Sequence, residues 1–322
     1  MKTFFDFCSG IGAGRLGLEK CGLTCVGHSD TSRLADITYM LLHDSANDKN
    51  YGNLKKLGCD NLPSFDMLIA GFPCQTFSVI GRQCGFNDGR GQIIFQLSRI
   101  LQEMKPKCFL LENVKGLITH DNGKTIKRIV KELENAGYST AYKVISSLNC
   151  GIPQMRQRVY FIGVRKDISS RLNDFVWPEI LPIPDLEDYL SKKLIITKEN
   201  FEILKRYLLN STNHGKYSVE DLLKMNGKIL DTRMNDLRIY DGKVPTLRAQ
   251  RDGIYYVFDH TIYQLTGYDA LILQGFPKDY AMRVKDKVTD RHLLMQAGNA
   301  MTVNTIELLG KCIINYLKKK EI

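Results

Sequence analysis

Strand-like apolar runs alternate with stretches of helical periodicity through the first 165 residues. Residues 3–7, 23–27, 65–70, 107–111, 138–148 and 159–164 read as strands, and 13–21, 33–43, 93–104 and 124–136 as helices. This rhythm predicts an α/β domain with a parallel, doubly wound sheet and helices on both faces. In such a sheet ligands bind in the crevice outside the carboxyl ends of the strands. Chemistry is therefore to be sought in the residues that follow each strand.

Beyond Arg165 the rhythm breaks, and Pro178, Pro182 and Pro184 mark a boundary. Residues 185–290 are less periodic and carry many polar and basic positions, with short strand-like pieces at 243–250 and 254–258. They predict a smaller, irregular, β-rich domain over 181–289. Residues 302–317 regain helical spacing, so 1–180 and 290–322 are expected to form one domain.

With 322 residues, 43% of them hydrophobic, the chain can bury a sizeable core. No apolar run approaches the roughly 18 residues of a membrane span. The amino terminus reads as a first strand rather than a signal peptide. The nine cysteines are scattered, with no CxxC pair. That argues against zinc and for free thiols in a reducing cytoplasm. A net charge of +10 points to a polyanionic partner, nucleic acid first. The run Lys318-Lys319-Lys320 reads as a solvated helix end.

Five segments carry chemistry. Gly71-Phe72-Pro73-Cys74-Gln75 follows the third strand. A thiol held at that edge, followed by a polar Gln75, is a candidate nucleophile. A free Cys is otherwise a small buried hydrophobe. Cys8-Ser9-Gly10-Ile11-Gly12 links the first strand to the first helix, and residues 12–17 satisfy GxGxxG. Gly10 and Gly12 permit a tight turn and close approach of a ligand to the backbone. Asp30, ending the second strand, is placed for ribose hydroxyls. A nicotinamide dinucleotide and S-adenosylmethionine both suit such a loop. Glu112 and Asn113 follow the strand 107–111, where a carboxylate is costly unless paired or used. If that strand neighbours the third, Glu112 and Cys74 face one crevice.

Along Gln154-Met155-Arg156-Gln157-Arg158, alternation sends Gln154, Arg156 and Arg158 to one face. Two guanidiniums there call for a carboxylate, a phosphate or a carbonyl oxygen. Finally, Gly298-Asn299 ahead of the last helix reads as an N-cap, and a helix amino terminus can receive a carboxylate.

Taken in order, Pro-Cys-Gln, Glu-Asn-Val and Gln-x-Arg-x-Arg, with the glycine loop and the late Gly-Asn, strongly resemble the cytosine-5 DNA methyltransferases. The resemblance covers residues 3–167 and 237–310. It implies the S-adenosylmethionine-dependent methyltransferase fold, a Rossmann-like mixed sheet, with a target-recognition domain over 181–289. It also implies methyl transfer from S-adenosylmethionine to carbon 5 of a flipped-out cytosine in a specific duplex DNA sequence. By the resemblance, Cys74 adds to carbon 6 as a thiolate, with Gln75 beside it. Glu112 hydrogen-bonds ring nitrogen 3, Arg158 holds the base's carbonyl oxygen, and Arg156 steadies Glu112 or the thiolate.

The cofactor residues so implied are Cys8, Ser9, Gly10, Ile11, Gly12, Asp30, Thr31, Asn53, Leu54, Pro73, Ile93, Asn299 and Met301, with no metal. The implied DNA contacts are Ser78, Gly81 and Arg90, in a basic, glycine-rich loop that closes over the base, and Gln154, Arg238 and Thr246. Cys8, Thr31 and Asn53 depart from the family's Phe, Trp and Asp. Loss of the aromatic cover predicts a modest cofactor affinity, unless Phe7, Phe72 or another ring substitutes. The resemblance is to bacterial restriction–modification enzymes. It implies a monomer of the bacterial cytoplasm or nucleoid, with a cognate restriction endonuclease as partner.

Three other readings compete. A tRNA cytosine-5 methyltransferase keeps the chemistry, but a separate segment of about a hundred residues suits sequence reading in duplex DNA. A nicotinamide-dependent oxidoreductase leaves Cys74 and residues 154–158 unexplained. A non-catalytic DNA-binding protein has no use for Cys74, Glu112 and Arg158.

Overall fold

A computed structural model of the chain describes residues 1–45, 48–72, 93–233, 235–249 and 253–320. The elements begin with β1 (Thr3–Phe7), α1 (Ala13–Glu19), β2 (Thr24–Ser29), α2 (Arg33–His43) and β3 (Met67–Gly71). Next come α3 (Ile93–Met104), β4 (Cys108–Val114), α4 (Lys124–Asn135), β5 (Tyr138–Ser146), β6 (Gln154–Met155) and β7 (Gln157–Arg165). Then follow α5 (Lys198–Leu209), α6 (Val219–Leu223), β8 (Lys228–Arg233), β9 (Asp236–Asp241), β10 (Val244–Pro245), β11 (Ile254–Phe258) and β12 (Thr261–Gln264). The chain closes with α7 (Gly267–Ile272), α8 (Lys278–Val284), α9 (Asp290–Asn299) and α10 (Val303–Lys320). These divide into two compact units, Met1–Ser146 with Gln157–Ile180 and Ala300–Ile322, and Ser147–Arg156 with Leu181–Asn299.

The first unit is an α/β structure around a six-stranded sheet of order β2-β1-β3-β4-β7-β5. Neighbours among β2, β1, β3 and β4 are parallel, while β7 runs antiparallel to both β4 and β5. The sheet is therefore mixed, where the alternating rhythm alone predicts parallel strands. A parallel neighbour needs a long crossover, normally a helix. Only a single 3₁₀ turn, Ser147–Cys150, and the short β6 lie between β5 and β7, and β7 returns beside β5 with the opposite sense. Residues 108–111 of β4 are fully buried, as suits a central strand covered on both faces. Helix α3 contributes Ile93, Ile94, Leu97, Ile100 and Leu101 at helical spacing to a core that includes Phe5, Phe7, Leu68, Phe109 and Leu111. At its amino end, α2 is capped by Ser32, whose hydroxyl accepts the Ala35 N–H at 3.2 Å.

The second unit contains an antiparallel sheet of order β12-β11-β8-β9 over a core that includes Leu204, Leu208, Leu222, Leu230, Leu237 and Tyr255. The strand expected over 243–250 shrinks to Val244–Pro245, which pairs in parallel with β6. Gly298 and Asn299 are the last residues of α9, not the cap of α10, which corrects the N-cap expectation. Glycine is required at 298 because a Cβ would stand 2.4 Å from the Ala249 nitrogen and from the Arg248 carbonyl carbon. Among the described residues no helix is long and apolar enough to cross a membrane.

Candidate active site

The carboxyl ends of β3 and β4 build the first half of the site. The parallel register sets Gly71, the last residue of β3, beside Glu112. Strand β4 runs on through Glu112 and Asn113, further than 107–111, and pairing with Tyr160 of β7 fixes the Glu112 backbone on its other side. Glu112 is 7% exposed. Arg158 on β7 brings Nε to 3.1 Å from Glu112 Oε1. That contact is an ion pair, and Oε1 accepts no hydrogen bond among the described residues. A buried carboxylate oxygen with accepting capacity left over is uncommon unless something else is to meet it.

The surroundings hold this geometry. Asn113, 1% exposed, donates from Nδ2 to the Phe72 carbonyl at 3.3 Å and so ties β4 to the chain just before Pro73. Met301, 5% exposed, lies with Cγ 3.5 Å and Glu112 Oε2 3.8 Å from where a Cβ on Gly71 would be. A small side chain at 71 would meet both at ordinary van der Waals distance. In the sequence Asn113 is only a further polar group; its bond to the Phe72 carbonyl depends on strand pairing.

The second half of the site is the turn after β1. Cys8, Gly10 and Gly12 all have positive φ, at 51°, 54° and 79°. At Gly10 a Cβ would meet nothing within 4 Å, so its backbone is approachable. At Gly12 a Cβ would fall 2.2 Å from His43 Nε2, so no other residue fits. The Asp30 carboxylate fastens this turn to the next one, accepting from Gly10 N and Ser32 N at 2.8 Å each. Asn50, unremarked in the sequence, accepts from Asp30 N at 3.1 Å and from Gly52 N at 2.8 Å. Asn53 caps the turn Leu54–Lys56, accepting from Lys55 N at 3.0 Å, and Leu54 behind it is buried. Thr31 is exposed, Ile93 begins α3, and Ile11 and Ser9 are buried. Burial, with Asp30 and Asp6 nearby, pushes the Cys8 thiol up to about 12. Phe7 and Phe72, the rings expected to be able to cover adenine, are committed to the core at 0% and 4% exposed, and Phe7 stacks on Phe5 at 4.3 Å. Neither ring is available to a ligand.

Asp6 is fully buried on β1, its Oδ2 accepting from Arg15 N at 3.2 Å while Oδ1 accepts nothing among the described residues. Burial pushes its carboxyl up to about 8, against the opposing pull of the Arg15 N–H. In the unfolded chain an Asp titrates near 3.9. The folded state therefore keeps a proton the unfolded state has lost between about pH 4 and 8. The associated stability is complete below that window, falls as pH rises through it, and is gone above it. Urea unfolding of the wild type should show stability falling with a slope of about 1.4 kcal/mol per pH unit across it, and Asp6→Asn should flatten the slope. Equal slopes in the two proteins would mean that Asp6 is ionised in the fold.

Other expected residues divide between places. Pro73, Cys74, Gln75, Ser78, Gly81 and Arg90 lie outside the described residues. Alternation across 154–158 does not hold, because the chain leaves β6 at Met155 and enters β7 at Gln157. Arg158 belongs to the first unit, Gln154 and Arg156 to the second. Gln154 was expected at DNA, but it is fully buried, donating to the Leu273 carbonyl at 2.7 Å and accepting from Leu247 N at 3.2 Å. That corrects its role to an internal brace. Arg156, 2% exposed, donates from Nη1 to the carbonyls of Leu247 at 3.3 Å and Gly298 at 3.2 Å. Thr246 donates its hydroxyl to the Met155 carbonyl at 2.5 Å. Arg238 is exposed and meets Asp236 at 2.8 Å. Asn299 is exposed at the end of α9.

Comparison with known proteins agrees with this arrangement. The family model described as C-5 cytosine-specific DNA methylase matches residues 2–315. The Type II methyltransferase M.NgoBI of Neisseria gonorrhoeae is 32% identical over 97% of this chain and 92% of its own length. The Type II methyltransferase M.HhaI of Haemophilus parahaemolyticus is 30% identical over 98% of this chain and 95% of its own. Among solved structures, the Entamoeba histolytica methyltransferase EhMeth superposes with a TM-score of 0.74 at 18% identity, covering 98% of this chain and 99% of that one. A mixed sheet carrying a buried carboxylate beside the strand that leads to Pro-Cys, and a family model spanning nearly the whole chain, identify this protein as a member of the C-5 cytosine-specific DNA methylases.

Proposed function

We propose that the protein methylates carbon 5 of a cytosine flipped out of a specific duplex DNA sequence, through a covalent bond between Cys74 and carbon 6. The observation that carries this reading is Glu112: buried, paired with Arg158 and, among the described residues, with an oxygen that accepts no hydrogen bond, beside the strand that precedes Cys74 in sequence. Carbon 5 of cytosine is a poor nucleophile. A Cys74 thiolate adding at carbon 6 breaks the aromaticity and leaves an enamine that is nucleophilic at carbon 5. Acting as the carboxylic acid, Glu112 donates to ring nitrogen 3 and passes its proton there as Cys74 adds, and Arg158 holds both Glu112 and the base's carbonyl oxygen. Once carbon 5 carries the methyl group, it loses its proton to a water molecule, Cys74 leaves as the thiolate, nitrogen 3 returns its proton to Glu112 and the ring recovers. Arg156 acts as a positioning residue through its carbonyl contacts, and Gln75 lines the same segment as the thiol.

The residues present fit S-adenosylmethionine: the backbone at Gly10 is open, and Asp30 holds that turn against the next. Bound there, the cofactor supplies the methyl group. Ser9, Ile11, Thr31, Asn53, Leu54, Ile93, Asn299 and Met301 complete the proposed set, with Pro73. With Phe7 and Phe72 both buried, the affinity is expected to be modest. Residues 78–91 close over the base, residues 181–289 select the DNA sequence, and Arg238 and Thr246 touch it. The Type II relatives suggest a cognate restriction endonuclease as partner.

Incubation with methyl-labelled S-adenosylmethionine and either duplex DNA or tRNA tests this reading. Label is expected in cytosine of the DNA. Label in tRNA alone would transfer the same chemistry to the competing substrate.

A further inference from the structure

The hairpin β8–β9 has two unlike faces. Leu230, Leu237 and Ile239 face the core of the second unit. On the other face, the register sets Arg233 opposite Asp236 and Asp231 opposite Arg238. Asn235 and Leu237, where β9 begins, are held by two asparagines. Asn210 and Asn213 donate to the Asn235 carbonyl at 2.8 Å and 2.9 Å, and Asn213 accepts from Leu237 N at 3.3 Å. Asn213 is fully buried and donates also to the Tyr207 carbonyl, at 2.9 Å. A plain connection between strands does not need such bracing, whereas a recognition element gains from being pre-organised.

The braced segment borders a groove of about 400 Å³ lined by Thr212, Arg233, Asn235, Asp236 and Arg238. Within it Arg238 is engaged, with Nε 2.8 Å from Asp236 Oδ2. Among the described residues the Arg233 side chain has no polar partner. A free guanidinium fork matches O6 and N7 of guanine in the major groove, and a carboxylate can accept from N4 of the paired cytosine. Arg233 and Asp236 stand directly across the hairpin from each other, as those two edges of one base pair require. The carboxylate also weighs against a phosphate in the same place, since like charges repel.

We propose that this groove reads one G·C pair of the recognition sequence, with Arg233 donating to the guanine. The inference rests on the reading of the chain as a sequence-specific DNA methyltransferase. Methylation of a randomised duplex library, read by bisulfite sequencing, tests it with the wild type, Arg233→Ala and Arg233→Lys. Arg233→Ala should lose preference at a single guanine by about 5- to 150-fold and keep its preferences elsewhere. Arg233→Lys should recover part of it, because one ammonium cannot form both bonds. Thermal unfolding of each variant checks that the fold is intact. An unchanged sequence profile in Arg233→Ala overturns the inference alone. A uniform loss over all sequences, with a weaker salt dependence, marks a phosphate contact and overturns it too. No methylation of any duplex by the wild type overturns the function reading and this inference with it.

Discussion

Replacing Cys74 with Ala should lower methyl transfer to DNA by about 10⁴-fold or more while leaving DNA binding intact. The size follows from the chemistry. Without addition at carbon 6, carbon 5 remains part of an aromatic ring, and no arrangement of donors around it replaces the lost covalent step. DNA with fluorine in place of hydrogen at carbon 5 makes the test sharper, because the fluorine cannot leave as a proton does. The wild type should then remain attached to the DNA under denaturing conditions, and Cys74→Ala should not. Full turnover by Cys74→Ala would sink the proposed mechanism.

The second large effect concerns Glu112 and Arg158. Glu112→Gln keeps the shape of the side chain but removes the acid, and should cost about 10²- to 10⁴-fold in turnover. Arg158→Ala leaves the Glu112 carboxylate buried without its cation, the two side chains being 9% and 13% exposed in the wild type. That change should lower stability by about 3–5 kcal/mol. The double variant should be more stable than the two single losses predict, because no uncompensated charge is then buried. Urea unfolding of the four proteins measures the coupling, and strictly additive losses would show that the ion pair contributes nothing.

The sequence was most legible where the determining interactions are local. Helices Arg33–His43 and Ile93–Met104 lie where the apolar spacing placed them, because that spacing alone decides which face is buried. Strand Thr3–Phe7 and the turn at Gly10 and Gly12 were readable for the same reason. The adjacency of β3 and β4 was only a condition in the sequence, and strand pairing met it.

Local rules failed where the chain changes its neighbours. Period-two alternation over 154–158 assumes one strand, yet Gln154 pairs with Val244 while Arg158 pairs with Val114 and Ile145. Gly298 looked like part of a cap, but glycine is demanded there by backbone from residues 248–249. Phe7 and Phe72 looked able to meet a ligand, and the core took both rings.

By itself, then, the sequence determined the kinds of chemical group present and the strand ends on which they sit, since periodicity and turn chemistry act between residues a few positions apart. Only the tertiary structure decided which groups meet: Glu112 with Arg158, Asp30 with Gly10, Asn213 with Asn235. Those pairings join residues far apart along the chain, and their geometry depends on strand order, register and the space left by every other side chain.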